Sequence, residues 1–279
     1  MIKNVWAVYW SPCGGTEKVT KTIAGATADS LKTGEVKVYD WTLPAAREKA
    51  LTFTEEDLIV LGTPVYAGRV PNKAMPYIRD MITADGAMAV PVVCYGNRAY
   101  TDALMESGLL LMANGFKLLG GAAVVTQHVM NKNLAAGRPT TQEFADLAAF
   151  GVKLADKAAA IAEGRLAYTP AQLPGNNPVG PYYKPLEADG VTPANFMKAK
   201  PVLHAELCTK CGICAAVCPM GSISAEDPAI VTGICVKCHA CINKCPTGTR
   251  YFDNASLTSH IRYVYEHNVD NVFDIVYCI

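Results

Sequence analysis

A run of closely spaced cysteines, used twice, constrains this chain more than any other feature. Cys208, Cys211, Cys214, Cys218, Pro219 and Gly221 recur 27 residues later as Cys235, Cys238, Cys241, Cys245, Pro246 and Gly248. Two copies of one unit imply a small domain with two-fold pseudo-symmetry. Of the 11 Cys, an odd number, eight lie between Cys208 and Cys245 at two- and three-residue spacings, which suit metal ligation in a reducing compartment better than disulfides. A zinc site takes four thiolates in two Cys-x-x-Cys pairs and leaves the third Cys of each run unexplained. Cys235-Val-Lys-Cys238-His239 also matches c-type haem attachment. Against haem, Cys241 and Cys245-Pro246 continue the run, and the first copy has Gly212 where the second has His239. His239 then reads as a loop residue beside a metal centre, where its positive charge would raise a reduction potential at low pH.

Each copy reads C-x-x-C-x-x-C-x-x-x-C-P and so resembles the run by which bacterial-type two-cluster ferredoxins hold [4Fe-4S] clusters. The resemblance covers about residues 201 to 253, with every ligand and both prolines in place. It implies that the fourth Cys of each run crosses to the other cluster. Cluster one would use Cys208, Cys211, Cys214 and Cys245, and cluster two Cys235, Cys238, Cys241 and Cys218. Cys13, Cys94 and Cys278 remain, and are expected to be reduced thiols.

At 279 residues the chain exceeds one hydrophobic core, so two domains are expected. From Ile2 to about Gly164 short apolar runs alternate with helix-compatible stretches, the pattern of an α/β parallel sheet covered on both faces. Strands are expected near Val5–Trp10, Val36–Asp40, Leu58–Gly62, Ala87–Tyr95 and Lys117–Val125. Helices are expected near Glu17–Leu31, Lys73–Ile82, Thr101–Asn114 and Thr141–Glu163. From Leu166 to Lys200, six Pro and three Gly fall without periodicity, which predicts a linker, with Tyr182, Tyr183 and Phe196 as anchors. After the cassettes come a helix from Leu257 and an apolar ending, Val272 to Ile279. That ending must be buried on its own domain or the sheet domain, over a ligand, or in the joint of a homo-oligomer.

Strand one runs into Ser11-Pro12-Cys13-Gly14-Gly15-Thr16 and a helix, where free N–H groups favour an anion such as phosphate; a merely tight turn is the alternative. Two further loops follow strands at the carboxyl edge, where doubly wound sheets bind ligands: Pro64, Val65, Tyr66, Ala67 and Gly68 after the third, and Tyr95, Gly96, Asn97, Arg98 and Tyr100 around the end of the fourth. This set resembles the FMN site of flavodoxins. Ser11, Gly14 and Thr16 match the phosphate loop S/T-x-T-G-x-T, whereas Cys13 stands where a hydroxyl residue is usual and leaves one phosphate hydrogen bond open. The resemblance implies a flavodoxin-like doubly wound five-stranded parallel sheet. In it Tyr66, with Tyr95 or Tyr100, would stack on the flavin, Gly68 would be the redox-responsive peptide, and Asn97 would bond the ring edge. Each Tyr alone also fits plain core packing. Arg69 and Arg98 depart from the usual acidic surroundings; near the ring they would favour its anionic reduced form. His128 would border the pocket or be an ordinary loop residue.

The layout resembles the flavodoxin–ferredoxin fusion family over nearly the whole chain. It implies residues 1–165 as a flavodoxin-like FMN-binding domain, 166–200 as linker, 201–255 as a two-cluster ferredoxin-like α+β domain and 256–279 as a tail. The expected function is electron transfer between the clusters and FMN, with redox proteins as ferredoxin-type donors or acceptors. An FMN-dependent reductase of a quinone or other small acceptor, and a non-catalytic redox sensor, are the alternatives. Lys+Arg and Asp+Glu both total 25, so no basic field draws nucleic acid. No apolar run reaches the roughly 18 residues of a membrane span, and the start moves into a strand without a signal peptide, so a cytoplasmic location is expected. Neither a nicotinamide-binding Gly-x-Gly-x-x-Gly nor a catalytic triad is present.

Overall fold

The structure, a computed structural model, describes residues 1–279. The first half runs β1 (Asn4–Tyr9), α1 (Gly15–Leu31), β2 (Lys37–Asp40), β3 (Leu51–Thr54), β4 (Asp57–Pro64), α2 (Met75–Met81), β5 (Ile82–Asp85), β6 (Met88–Tyr95), α3 (Ala103–Ala113), β7 (Lys117–Leu118), β8 (Gly121–Val125) and α4 (Thr141–Ala162). The remainder carries β9 (Val202–Leu203), α5 (Ile213–Ala216), α6 (Ala240–Asn243), β10 (Arg250–Tyr251), α7 (Ala255–Glu266) and β11 (Val276–Cys278).

The main sheet is ordered β11-β8-β6-β4-β1-β2. Five of its members, β2, β1, β4, β6 and β8, run parallel. Taken in order of succession they give 2-1-3-4-5, the flavodoxin-like doubly wound order. β6 is buried at every position and β4 at all but the last, as interior strands covered on both faces must be. On one face Val19, Ile23, Leu147, Phe150 and Leu154 from α1 and α4 close the core; on the other, Trp10, Trp41, Ile78 and Leu111 do so. α1 and α4 approach closely because Gly151 has no side chain: a Cβ there would stand 2.6 Å from the Ile23 carbonyl oxygen.

The differences from expectation are local. The fifth strand breaks at Leu119-Gly120, where a Cβ on Gly120 would meet Leu154 at 2.6 Å and the Cys278 carbonyl at 2.7 Å, and its first part pairs with β6 as β7. The helix expected to reach Ile82 stops at Met81, because Ile82 enters a separate parallel ribbon with β3. The apolar ending docks on the sheet domain without the burial expected of it: β11 pairs antiparallel with β8, while Val272, Tyr277 and Ile279 stay exposed. Phe273, Val276 and Cys278 pack on the core beside Val93, Tyr95 and Val125, and Tyr277 turns to Phe150, 4.9 Å between ring centres. Pairing covers the edge of β8 and leaves the short β11 as the outer strand.

Residues 166–200 form a strap with no repetitive structure until its end is tied to α7. The buried Asp102 carboxylate accepts from the Asn176 amide (2.9 Å), its side chain (3.0 Å) and the Gly180 amide (2.7 Å). Tyr182 donates to the Val70 carbonyl at 2.8 Å, and the Tyr183 amide to that of Ala67 at 2.9 Å. Farther on, Ala188 and Asn195 donate to Ser259 and Ser256 of α7. Burial alone would push the Asp102 carboxyl up, but the Asn176 and Gly180 donors hold it below the usual range. Asp57, bonded by Thr54, Trp6 and Asn4, is lowered against burial in the same way. Depressed carboxylates contribute stability that is present above their unfolded pKa, near 4, and is lost as pH falls through the folded values. Urea midpoints are therefore expected to stay level from neutral pH down to about 5 and to drop below about 4. Asp102→Asn should flatten that acid limb; an unchanged limb would show that Asp102 contributes nothing to it.

Candidate functional site

The eight cassette cysteines surround two cavities. One is lined by Cys208, Cys211, Cys214 and Cys245. The other is lined by Cys235, Cys238, Cys241 and Cys218. The fourth Cys of each run thus stands with the first three of the other. The two copies share a backbone: Lys210 and Lys237 have φ of 53° and 54°, Gly212 and His239 of 75° and 60°, Gly221 and Gly248 of 59° and 65°. The left-handed residue before α5 or α6 turns the chain so that the thiols on either side face one cavity.

These walls fit a polynuclear group. Four cysteines line each cavity, the thiolate set that an iron–sulfur cluster takes. At Cys245 burial works against ionisation, but hydrogen bonds from Thr247 and Thr249 bring the thiol down to about 6, favouring the thiolate that ligation needs. His239 lines cavity two, stacks on Phe252 at 5.1 Å and is pushed down to about 4 by burial. It is neutral at pH 7, so the charge expected of it appears only near that lower value.

The cavities differ in setting. Cys211 of the first is exposed, whereas Cys238 of the second is buried on the side of the sheet domain. There the Cys13 thiol donates to the Cys238 carbonyl at 3.1 Å. Asn243 of α6 donates to the Val129 carbonyl at 3.0 Å and lies 3.9 Å from the Cys13 sulfur. Arg47 reaches the Pro219 carbonyl at 2.5 Å, and Val236 packs on the core of the sheet domain. The second cassette therefore rests on the carboxyl edge of the sheet, against the loop before α1.

In that loop Ser11 Oγ accepts from the Glu17 amide at 2.9 Å and the Ser11 amide donates to Thr42 at 2.7 Å. Gly14, at φ 88°, caps the 17-residue α1, and its amide donates to the Ser11 carbonyl. The amides of Cys13, Gly15 and Thr16 carry no such bond within the chain, so this helix terminus fits an anion. Cys13 directs its sulfur to the second cassette, which accounts for the absence of a hydroxyl residue there.

The loop after β4 is a tight hairpin in which Tyr66 and Arg69 exchange backbone hydrogen bonds, and the Gly68 carbonyl accepts from Asp102. A Cβ on Gly68 would meet the Thr101 hydroxyl at 2.7 Å. Pro64 and Val65 lead in, the Val65 amide donating to Cys94. The Tyr66 ring stands edge-on to Trp10 at 5.8 Å. Its hydroxyl is pushed well up by burial and by its neighbours Cys238, Cys13 and Cys235, so Tyr66 lies between the anion loop and cavity two. Tyr95 and Tyr100 pack on each other at 5.4 Å, and Tyr95 also on Phe273 at 6.0 Å; core packing occupies them. Asn97 donates to the Asn268 and Asn271 carbonyls at 2.9 and 3.0 Å, holding the tail with its nitrogen, while its side-chain oxygen is buried without a partner. Arg98 lies 3.5 Å over the Tyr183 ring. Arg69 is not free to face a ligand, as expected from sequence, because it is paired with Glu106, bonded to the Gly180 carbonyl and packed over Tyr182.

Several residues at this edge carried no signal in the sequence. Asn243, Asn268 and Asn271 matter only through contacts across the chain. His128 lies against Gly96, where a Cβ would come within 2.3 Å of its ring; burial pushes it down to about 4, and its Nδ1 accepts from the Met130 and Asn131 amides. Thr63 Oγ1, at the end of β4, is buried without a partner.

Residues 201–224 match the family described as "4Fe-4S binding domain", so the first cassette is of the [4Fe-4S]-binding kind. No curated protein matches the chain. Among solved structures it is similar to a flavodoxin from the domain Archaea, 14% identical over 56% of this chain and 99% of the other, with a TM-score of 0.39. It is also similar to the two-electron reduced Megasphaera elsdenii flavodoxin, 16% identical over 55% and 98%, TM-score 0.34. A third is the rubredoxin oxygen:oxidoreductase of the anaerobe Desulfovibrio gigas, 17% identical over 59% and 37%, TM-score 0.36. No helix is long and apolar enough to cross a membrane.

Proposed function

We propose that this chain is an iron–sulfur flavoprotein that passes electrons between two [4Fe-4S] clusters and FMN. The observation that carries the reading is the contact of Cys13, in the anion loop, with the Cys238 carbonyl of the second cassette at 3.1 Å. The two binding elements are one surface, not two domains on a free tether. Cys208, Cys211, Cys214 and Cys245 would hold one cluster, and Cys235, Cys238, Cys241 and Cys218 the other. The amides of Cys13, Gly15 and Thr16 with Ser11 and Gly14 would hold the FMN phosphate, and the loops at Tyr66–Gly68 and Gly96–Tyr100 would flank its ring. Clusters exchange single electrons and FMN holds one or two, which joins one-electron to two-electron chemistry.

The chain's own residues set the order. Exposed Cys211 makes cavity one the side open to a redox partner protein, a ferredoxin-type donor or acceptor. Buried Cys238 excludes water from the side against the sheet. The strap and tail brace both loops beside the ring: Tyr183 of the strap, with Asp102 at the start of α3, holds the first, and Asn268 and Asn271 of the tail hold the second.

Anaerobically purified protein is expected to show flavin absorption together with about eight iron atoms per chain. With a reduced ferredoxin-type donor, Cys211→Ala should slow flavin reduction to the background rate, while FMN binding is kept. Flavin reduction as fast as in the unaltered protein would rule out internal transfer.

A further inference from the structure

Aligned on their Cys-Pro steps, the two cassettes differ in kind at a position buried in both copies. Ile223 follows Cys218 by five residues, and Arg250 follows Cys245 by five. Ile223 is an ordinary apolar residue, packed with Cys214 and Cys241 between the two cavities. Arg250 is more deeply buried, 3% exposed against 7%. A guanidinium cannot shed its charge in a protein, and burying it unpaired is costly, yet none of the chain's ion pairs includes Arg250.

What surrounds the group explains its place. Its Nη1 donates to the Pro228 carbonyl at 2.6 Å and lies 3.7 Å from the Cys214 sulfur; its Nη2 donates to the Pro201 carbonyl at 3.4 Å. Its Nε is buried with no partner. It lines cavity one. On the other side the guanidinium interacts with the Cys241 thiol. The two carbonyls orient the fork but supply no countercharge. What it meets on either side is a cassette thiol, Cys214 of cavity one and Cys241 of cavity two.

We infer that Arg250 is a fixed cation shared by the two cluster sites, a positioning residue whose charge and N–H donor to Cys214 stabilise an added electron and so raise the reduction potentials of both clusters, cluster one more. This rests on the two-cluster reading above. Each step adds one electron, from a one-electron reductant such as a ferredoxin-type donor, to a cluster that is already negative, and net charge and hydrogen bonds to sulfur are the levers that set such potentials.

The test is an EPR-monitored redox titration of the full chain, purified anaerobically, with iron counted beforehand. Arg250→Ile copies the residue that the first cassette already packs at this position. It is expected to lower the cluster-one potential by about 59 mV, tenfold in the one-electron equilibrium constant, and to move cluster two less in the same direction. Arg250→Lys, which keeps the charge and loses the fork, should fall between. An Arg250→Ile protein with both clusters loaded and both potentials unmoved overturns the inference and leaves the two-cluster reading standing. Unaltered protein without two clusters overturns that reading itself. If Arg250→Ile fails to load, Arg250→Lys is compared with Arg250→Gln: a lower potential in Gln than in Lys supports the charge, and equal potentials, or no loading in either, make Arg250 purely architectural and overturn the inference.

Discussion

Cys218→Ala is expected to abolish the cluster of the second cassette and spare that of the first, although Cys218 belongs to the first run. Cys218 lines the cavity of Cys235, Cys238 and Cys241, while Cys245 of the second run completes the wall around Cys208, Cys211 and Cys214. Iron should fall from about eight atoms per chain to about four, and the surviving EPR signal should be that of the more exposed centre. Because cavity two is the one resting on the anion loop, electrons supplied by a protein donor should then reduce the remaining cluster and stop short of the flavin. The reciprocal Cys245→Ala should lose the exposed centre instead. Loss of the first cassette's cluster in Cys218→Ala would mean that each run keeps its own four thiols, and the crossing would have to be abandoned.

Glu106→Ala should be the most damaging single change outside the cassettes. Glu106 accepts from Arg69 Nε at 2.8 Å, Arg69 Nη2 at 2.6 Å and the Val70 amide at 2.9 Å, with side chains only 12% and 7% exposed for Arg69 and Glu106. Removing the carboxylate strands a buried guanidinium and a buried amide, a loss of about 3–5 kcal/mol, against a whole-domain stability of roughly 5–15. Arg69→Met, which leaves a carboxylate still bonded by the Val70 amide, should cost less. Arg69 also ties the β4 loop to the strap through the Gly180 carbonyl and the Tyr182 ring. FMN affinity should therefore fall with stability while iron content is kept. Urea denaturation and flavin titration read both. A cost at or below about 1 kcal/mol, the value of an exposed pair, would show that the strut is not the brace described.

Reading along the chain reached the elements whose determinants are local. The cassettes announce themselves because three thiols of each set lie within seven residues, Cys208 to Cys214 and Cys235 to Cys241. The anion loop is equally local, since its donors belong to one strand-to-helix turn. The parallel sheet was legible from β4 and β6, whose continuous apolar character follows from burial on both faces. Arg69 illustrates the limit: beside a glycine in a ligand-facing loop it reads as a group for the flavin. Its true partner is 37 residues away on α3, and a linear pattern of charges does not say which carboxylate a flexible side chain will reach.

What the amino-acid order determined alone was the repeat, its eight thiols and the alternation of strand and helix, because each is written in spacing that the backbone period converts directly into geometry. Tertiary structure decided that Cys13 meets Cys238 across 225 positions, that Asn97 holds Asn268 and Asn271, and that the final strand closes the edge at β8. It also decided that Arg250 is buried beside the Cys214 sulfur in the wall of cavity one. Such contacts arise only once separate surfaces are brought together and buried polar groups and open sheet edges must find partners. Their cost is paid by the whole fold, and no short stretch of sequence carries it.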